Sequence, residues 1–189
     1  MNVFVIIITN TFKKDKNMPK IIDNVREQIQ KEVFNQMLTK GYSKTTIRSV
    51  AKAVGIGTGT MYNYFSSKDE LIASFMLDDW RLCVETMEKV PFESSEAFLR
   101  QIHGALKTFI SKYEKVFKDK DAIRAFSTVF PERHLQFRAK IGGFVAPACE
   151  ETDYEDKKFL SEHIAECIIN WTMADIPFDK QYSIIKRLL

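Results

Sequence analysis

The run Thr58-Gly59-Thr60-Met61-Tyr62-Asn63-Tyr64-Phe65 sets hydroxyls, an amide and small residues around two apolar side chains four apart. At that spacing Met61 and Phe65 share one helix face and turn inward. Thr58, Gly59, Thr60, Tyr62 and Asn63 then lie on the outer face, with Tyr64 divided between that face and the core. Threonine bonds phosphate or touches a thymine methyl, asparagine pairs in bidentate fashion with adenine, and tyrosine hydroxyls reach phosphate. Arg48 suits guanine or phosphate, Lys44 and Lys68 flank the run as clamps on a backbone, and Thr46 stands beside them. The chemistry on offer is recognition of double-stranded DNA.

Other constellations carry less. His163 and Cys167 lie four apart on one helix, and a third metal ligand would have to come from Cys149 or His134. Two ligands do not make a metal site, so none is expected. Gly55-x-Gly57-x-Gly59 has no preceding strand and no closing Gly-Lys-Ser/Thr, which excludes a phosphate-cradling loop. With no nucleophile–base pair, metal triad or cofactor loop, an enzyme is disfavoured and no cofactor is expected. Cys83, Cys149 and Cys167 are odd in number and lack metal spacing, as in a reduced, cytoplasmic protein.

An outward-facing reading helix must be held by others. Val25, Ile29, Val33, Phe34, Met37 and Leu38 recur at three and four, predicting a helix over Pro19–Lys40 that Gly41 ends. Thr45 or Thr46 caps a second helix, whose Ile47, Val50, Ala51 and Val54 face inward. Gly55-Ile56-Gly57 is a tight turn, and the third helix spans Thr58–Phe65. Two short helices joined by a glycine turn make a helix-turn-helix, the first crossing a DNA backbone and the second entering the major groove. Ser67-Lys68-Asp69-Glu70 fits a capping box, so a fourth helix starts at Lys68 and ends before Pro91.

Beyond Pro91 the prolines delimit helices over Glu96–Phe117, Asp121–Phe130, Glu132–Val145, Asp156–Asp175 and Phe178–Leu189. Only 7 Gly and 5 Pro in 189 residues favour long helices over a strand-rich fold, where turns recur more often. The class is therefore all-α, with a three-helix head followed by a helical bundle. Net charge is +3, yet residues 18–68 hold 8 Lys/Arg against 3 Asp/Glu, so the basic excess sits where a phosphate backbone could use it. No stretch reaches the ~20 apolar residues needed to cross a bilayer, and no membrane role is expected. Val3–Ile8 lacks a basic flank and a cleavage site. Residues 1–17 are read as an extension outside the natural fold, with Met18 as the natural start, 18–67 as the head and 68–189 as the second domain.

The run from Gly41 to Leu71, with its pattern GY-x-x-TT, A-x-x-x-G and GT-x-Y-x-YF-x-x-K-x-x-L, resembles the TetR family of tetracycline-repressor-like regulators. The likeness covers about fifty residues, the reading head and the start of the fourth helix. Gly57 departs from it, standing where the family usually has a serine cap. The resemblance implies a homodimeric repressor whose second domain dimerises and encloses an effector pocket, a small molecule releasing it from a DNA operator. Two half-sites one helical turn apart reinforce each other, which independently favours a dimer. The last two helices are the expected four-helix interface, through Leu160, Ile164, Ile168, Tyr182, Ile185 and Leu189. His103, Phe109, Tyr113, Phe126, Phe130, Phe137 and Trp171 are the candidate pocket wall, with Lys107 and Arg138 as further polar groups. The alternatives are a DNA-binding module gated by a protein partner and, behind it, an all-α enzyme.

Overall fold

Ten α-helices and one 3₁₀ turn make up the described part of the computed structural model. That part is residues 23–129 and 131–189, with their side chains apart from 23–24, 73, 125–129 and 131–137. The expected extension over 1–17 and the helix start at Pro19 lie outside the described residues. The helices are α1 (Asp23–Lys44), α2 (Ile47–Val54), α3 (Thr58–Tyr62), α4 (Lys68–Glu88) and α5 (Ser95–Lys112). They continue as α6 (Glu114–Lys118), α7 (Lys120–Val129), α8 (Pro131–Val145), α9 (Lys157–Met173) and α10 (Phe178–Ile185). The 3₁₀ turn, Ala146–Cys149, follows α8.

The chain divides into two compact units. Of the described residues, the first unit holds 23–78 and 115–129, and the second 79–114 and 131–189. The division does not follow chain order: α7 and most of α6 belong with the head helices.

In the first unit α1 kinks at Gly41, where φ is +77° and ψ 174°. That region is nearly closed to a residue with a Cβ, so glycine ends the regular helix. Ile29, Val33, Met37, Val50, Ala51, Met61, Phe65, Leu71, Ile72 and Met76 form the core, joined by Val116, Phe117 and Ala122. Burial of each large apolar side chain contributes roughly 1.5–3 kcal/mol. Three described residues of this unit are polar and buried: Gln36, Thr45 and Ser74. Gln36 on α1 receives the Ser49 hydroxyl (2.6 Å) and donates to the Ser49 carbonyl (3.2 Å), tying α1 to α2.

The second unit is built around α5 and α9. Leu99, Ile102, Leu106, Phe109 and Ile110 lie buried along α5, and Leu160, Ile164, Ala165, Ile168 and Ile169 along α9. Ser94 caps α5 by accepting from Ala97 N at 3.2 Å, and Asp156 caps α9 by accepting from Phe159 N at 2.9 Å. The helix expected over Glu96–Phe117 breaks at Tyr113, whose hydroxyl bonds Asp79. A single apolar period runs through the break, and the tie to Asp79 is long-range in sequence.

Candidate nucleic-acid interface

Local chemistry fixes α2 and α3 tightly. Thr46, in extended conformation, accepts from Ser49 N (3.0 Å), and Ser49 Oγ accepts from Thr46 N (2.9 Å), closing a capping box. The cap is therefore Thr46. Thr45 is buried instead, its hydroxyl donating to the Gly41 carbonyl (2.8 Å). At the other end Gly55 takes φ +79° and ψ 25°, and Ile56 N returns to the Ala51 carbonyl (3.0 Å). This left-handed cap turns the chain sharply into α3.

Gly57 precedes α3 and supplies no side-chain cap. The helix ends at Tyr62, earlier than the expected Phe65. Tyr64 N and Phe65 N both bond the Met61 carbonyl, at 3.0 and 2.9 Å, so the chain turns and still drives Phe65 inward. Met61 and Phe65 are fully buried, and Arg26 lies over the Phe65 ring at 4.8 Å. The opposite side is open. Tyr62 is 56% exposed, and Gly59, Thr60 and Asn63 are exposed with it, while Thr58 and Tyr64 are half-buried. Lys44, Thr46 and Arg48 are exposed too, although the Thr46 oxygen already accepts a capping bond.

Lys68 differs from the other cations. It is half-buried, its ammonium donates to the Tyr42 carbonyl (2.6 Å), and it lies 3.6 Å from the centre of the Tyr42 ring. Burial lowers its pKa, against the raising influence of Asp69, Asp119 and Asp121. The Tyr42 hydroxyl donates to Asp69 (2.9 Å). Burial first, then that bond and the charges of Asp69 and Asp119, push the phenol pKa well above its ordinary value. The capping box expected at Ser67 is shifted by one: Ser67 Oγ accepts from Glu70 N (3.0 Å), whereas the Glu70 carboxylate reaches Ser66 N (2.6 Å).

Residues 34–75 match the family model described as bacterial regulatory proteins, tetR family. Over those residues the head is that of the tetR family. The chain is 38% identical over 61 residues to the HTH-type transcriptional regulator PksA of Bacillus subtilis (strain 168). That alignment takes in 31% of this chain and 30% of the relative, so the chain matches less than a third of that relative's length. Among solved structures, a transcriptional regulator from Rhodococcus sp. Rha1 superposes with a TM-score of 0.64 at 15% identity. The superposition covers 86% of this chain and 96% of that one. The fatty acid degradation regulator FadR from Bacillus halodurans gives 0.57 at 18% identity, over 89% and 94%. These likenesses show the fold: an all-helical chain with the tetR head and a helical C-terminal part.

The residues singled out beyond the head are placed as follows. His103 is buried with its ring 5.3 Å from Phe178, and burial, then Lys107 and Arg100, lower its pKa. Phe109 packs edge-on against Trp80 (5.6 Å) and beside Tyr113 (5.1 Å), both of them buried, and Trp171 is half-buried. Phe130, and the side chains of Phe126 and Phe137, lie outside the described residues. Lys107 pairs with Asp175 (3.3 Å), and Arg138 with Glu162 (3.1 Å). Leu160, Ile164, Ile168 and Ile185 are already buried within the single chain, and such side chains present no surface to a second copy. Tyr182 and Leu189 are half-buried. Exposed instead are Phe159 (53%), stacked on His163 at 5.5 Å, Ile184 (50%) and Leu188 (45%).

Among the described residues no helix is long and apolar enough to cross a membrane. The roles of three residues of the first unit escaped the sequence reading. Gln36 sits in an otherwise apolar stripe, and Tyr42 and Asp119 meet across 77 positions. No local pattern signals either arrangement.

Proposed function

We propose that this chain is a sequence-specific, DNA-binding transcription regulator. The observation that carries the reading is the two-sided character of α3. Met61 and Phe65 anchor it, buried completely, and Gly59, Thr60, Tyr62 and Asn63 stand open, as do Arg48 and Lys44. Those outer groups are the donors and acceptors that read base edges and grip phosphates in a major groove. Thr46, Thr58, Tyr64 and Lys68 complete the contact set, Thr58 and Tyr64 from the ends of the same segment. The head, residues 18–67, carries recognition, and residues 68–189 carry control. A cytoplasmic location goes with this role.

The chain acts as a homodimer, which presents two heads to two half-sites. The exposed Phe159, Ile184 and Leu188, with Tyr182 and Leu189 beside them in sequence, support a self-pairing surface on α9 and along and beyond the end of α10. They take the place of the buried Leu160, Ile164, Ile168 and Ile185 in that role. The regulator is a repressor, released by a small molecule held in the second unit. Supporting that part are three buried polar atoms without a hydrogen-bond partner among the described residues, His103 Nε2, Arg138 Nε and Gln181 Oε1. Buried polar groups require partners, and a ligand's polar atoms would provide them.

Footprinting of the DNA upstream of this protein's own gene, repeated with candidate ligands, tests the reading. Protection of two half-sites one helical turn apart, lost on adding one ligand, is the expected result. Absence of protection at every salt concentration would remove the DNA reading; protection that no ligand changes would remove only the effector.

A further inference from the structure

We propose that Asp119 is a positioning residue for Lys68, acting through Tyr42, so that the segment after α6 sets how much of that lysine is offered to DNA phosphate. The inference rests on the DNA-binding reading above. Asp119 uses its two oxygens for different tasks. Oδ1 caps α7, accepting from Asp121 N (2.9 Å) and Ala122 N (3.1 Å). Oδ2 reaches the turn between α1 and α2 and accepts from Tyr42 N (2.7 Å).

The Tyr42 peptide is thereby held on both sides: its N–H by Asp119, its carbonyl by the Lys68 ammonium (2.6 Å). The ammonium also rests on the face of the Tyr42 ring, which the Asp69 bond to its hydroxyl keeps in place. Lys68 is thus turned back onto its own fold, whereas Lys44, two residues beyond Tyr42, is exposed. A lysine committed to a carbonyl and a ring has fewer free donors for phosphate, and shifting Tyr42 would release them. The kink at Gly41 places this peptide where Asp119 can reach it: a Cβ at Gly41 would stand 3.0 Å from Asp119 Oδ2.

The same segment contains its own control. Asp121, two residues on, also bonds the head, but through the Ser43 hydroxyl, with no hold on Tyr42. Asp119→Asn and Asp121→Asn each remove one negative charge from this region, so simple charge effects on DNA affinity are shared. Only Asp119→Asn sets an amide between the α7 cap and the Tyr42 N–H, where its single oxygen can serve one of them.

The test is the salt dependence of binding to a duplex spanning the footprinted site, measured with the full chain. Each phosphate newly neutralised steepens the slope of log K against log salt by about 0.9. Asp119→Asn is expected to steepen the slope by about one per head. Asp121→Asn is expected to leave it at the wild-type value, and adding Lys68→Met to Asp119→Asn to abolish the added steepness. Hydrogen exchange at the Tyr42 amide gives a readout without DNA: slow in the wild type and in Asp121→Asn, fast in Asp119→Asn. Equal slopes in the two aspartate variants, or a slope in the double variant unchanged from Asp119→Asn, overturn the proposal while the DNA reading stands. A wild-type chain that binds no duplex overturns both. If Asp119→Asn folds poorly, Lys68→Met in the otherwise unaltered chain decides: it should flatten the slope less than Lys44→Met, and an equal or larger effect refutes the idea.

Discussion

Gly41→Ala probes the junction on which the head depends. The native backbone there, φ +77° and ψ 174°, belongs to a region almost confined to glycine. Forcing alanine into it costs about 1–3 kcal/mol. The new methyl carbon would also stand 3.0 Å from Asp119 Oδ2, the oxygen that accepts from Tyr42 N at 2.7 Å. If the carboxylate retreats, that charge-assisted bond weakens, at a further ~1.5–3 kcal/mol for complete loss. Gly55→Ala is the reference. Gly55 also has positive φ, +79°, but ψ is 25° and a Cβ would meet nothing within 4 Å, so the left-handed penalty of about 1–2 kcal/mol stands alone. Because the chain has two units, local measurement is preferable to a single melting curve. Hydrogen exchange of the amides from Tyr42 to Thr45, with chemical denaturation followed by circular dichroism, compares the two variants. Gly41→Ala should destabilise more than Gly55→Ala, and the excess should shrink when Asp119→Ala is added to both, since coupled sites are not additive. Equal costs, or an excess indifferent to Asp119, would refute the packing argument at this junction.

Two further outcomes follow from the second unit. Burial lowers the His103 pKa from its ordinary 6.5, so the folded chain resists a proton that the unfolded chain accepts. The stabilisation associated with the neutral ring is complete above that value and is lost as pH falls below it. Thermal denaturation between pH 7.5 and 5 should therefore show a steeper loss in the wild type than in His103→Leu, and parallel curves would contradict it. Burial pushes the Cys83 thiol up to about 12 and that of Cys149 up to about 11, whereas Cys167 is only half-buried. At pH 8 a thiol reagent should label Cys167 first and the other two only on unfolding; prompt labelling of all three would contradict the burial.

Much of the head was legible because its signals are local. The Met61–Phe65 spacing, the glycine turn at Gly55 and the threonine ahead of Ile47 each act within one helical turn, and the structure realises each. What resisted reading acts over distance. An apolar period marks the buried face of a helix but does not say whether the neighbour is the same chain or a second copy. Leu160, Ile164 and Ile168 therefore read as an interface, although they cover this chain's own core. The break at Tyr113 and the Asp119–Tyr42 bond depend on partners tens of residues away, and no spacing rule reaches that far. Lys68 read as a clamp on a DNA backbone like Lys44, and its hold within the fold went unread for the same reason: the Tyr42 carbonyl that it bonds is 26 positions earlier.

The outward side of α3 is the claim on which the functional account turns. Equilibrium binding of Tyr62→Ala and Asn63→Ala to the footprinted duplex, at fixed salt and with circular dichroism of each variant, measures it directly. Each side chain is exposed, so melting should be unchanged. Affinity should fall, for Asn63→Ala by about 1–3 kcal/mol, which is roughly 5- to 150-fold, with the loss greatest at one base position of each half-site. Full affinity in both variants would contradict the account.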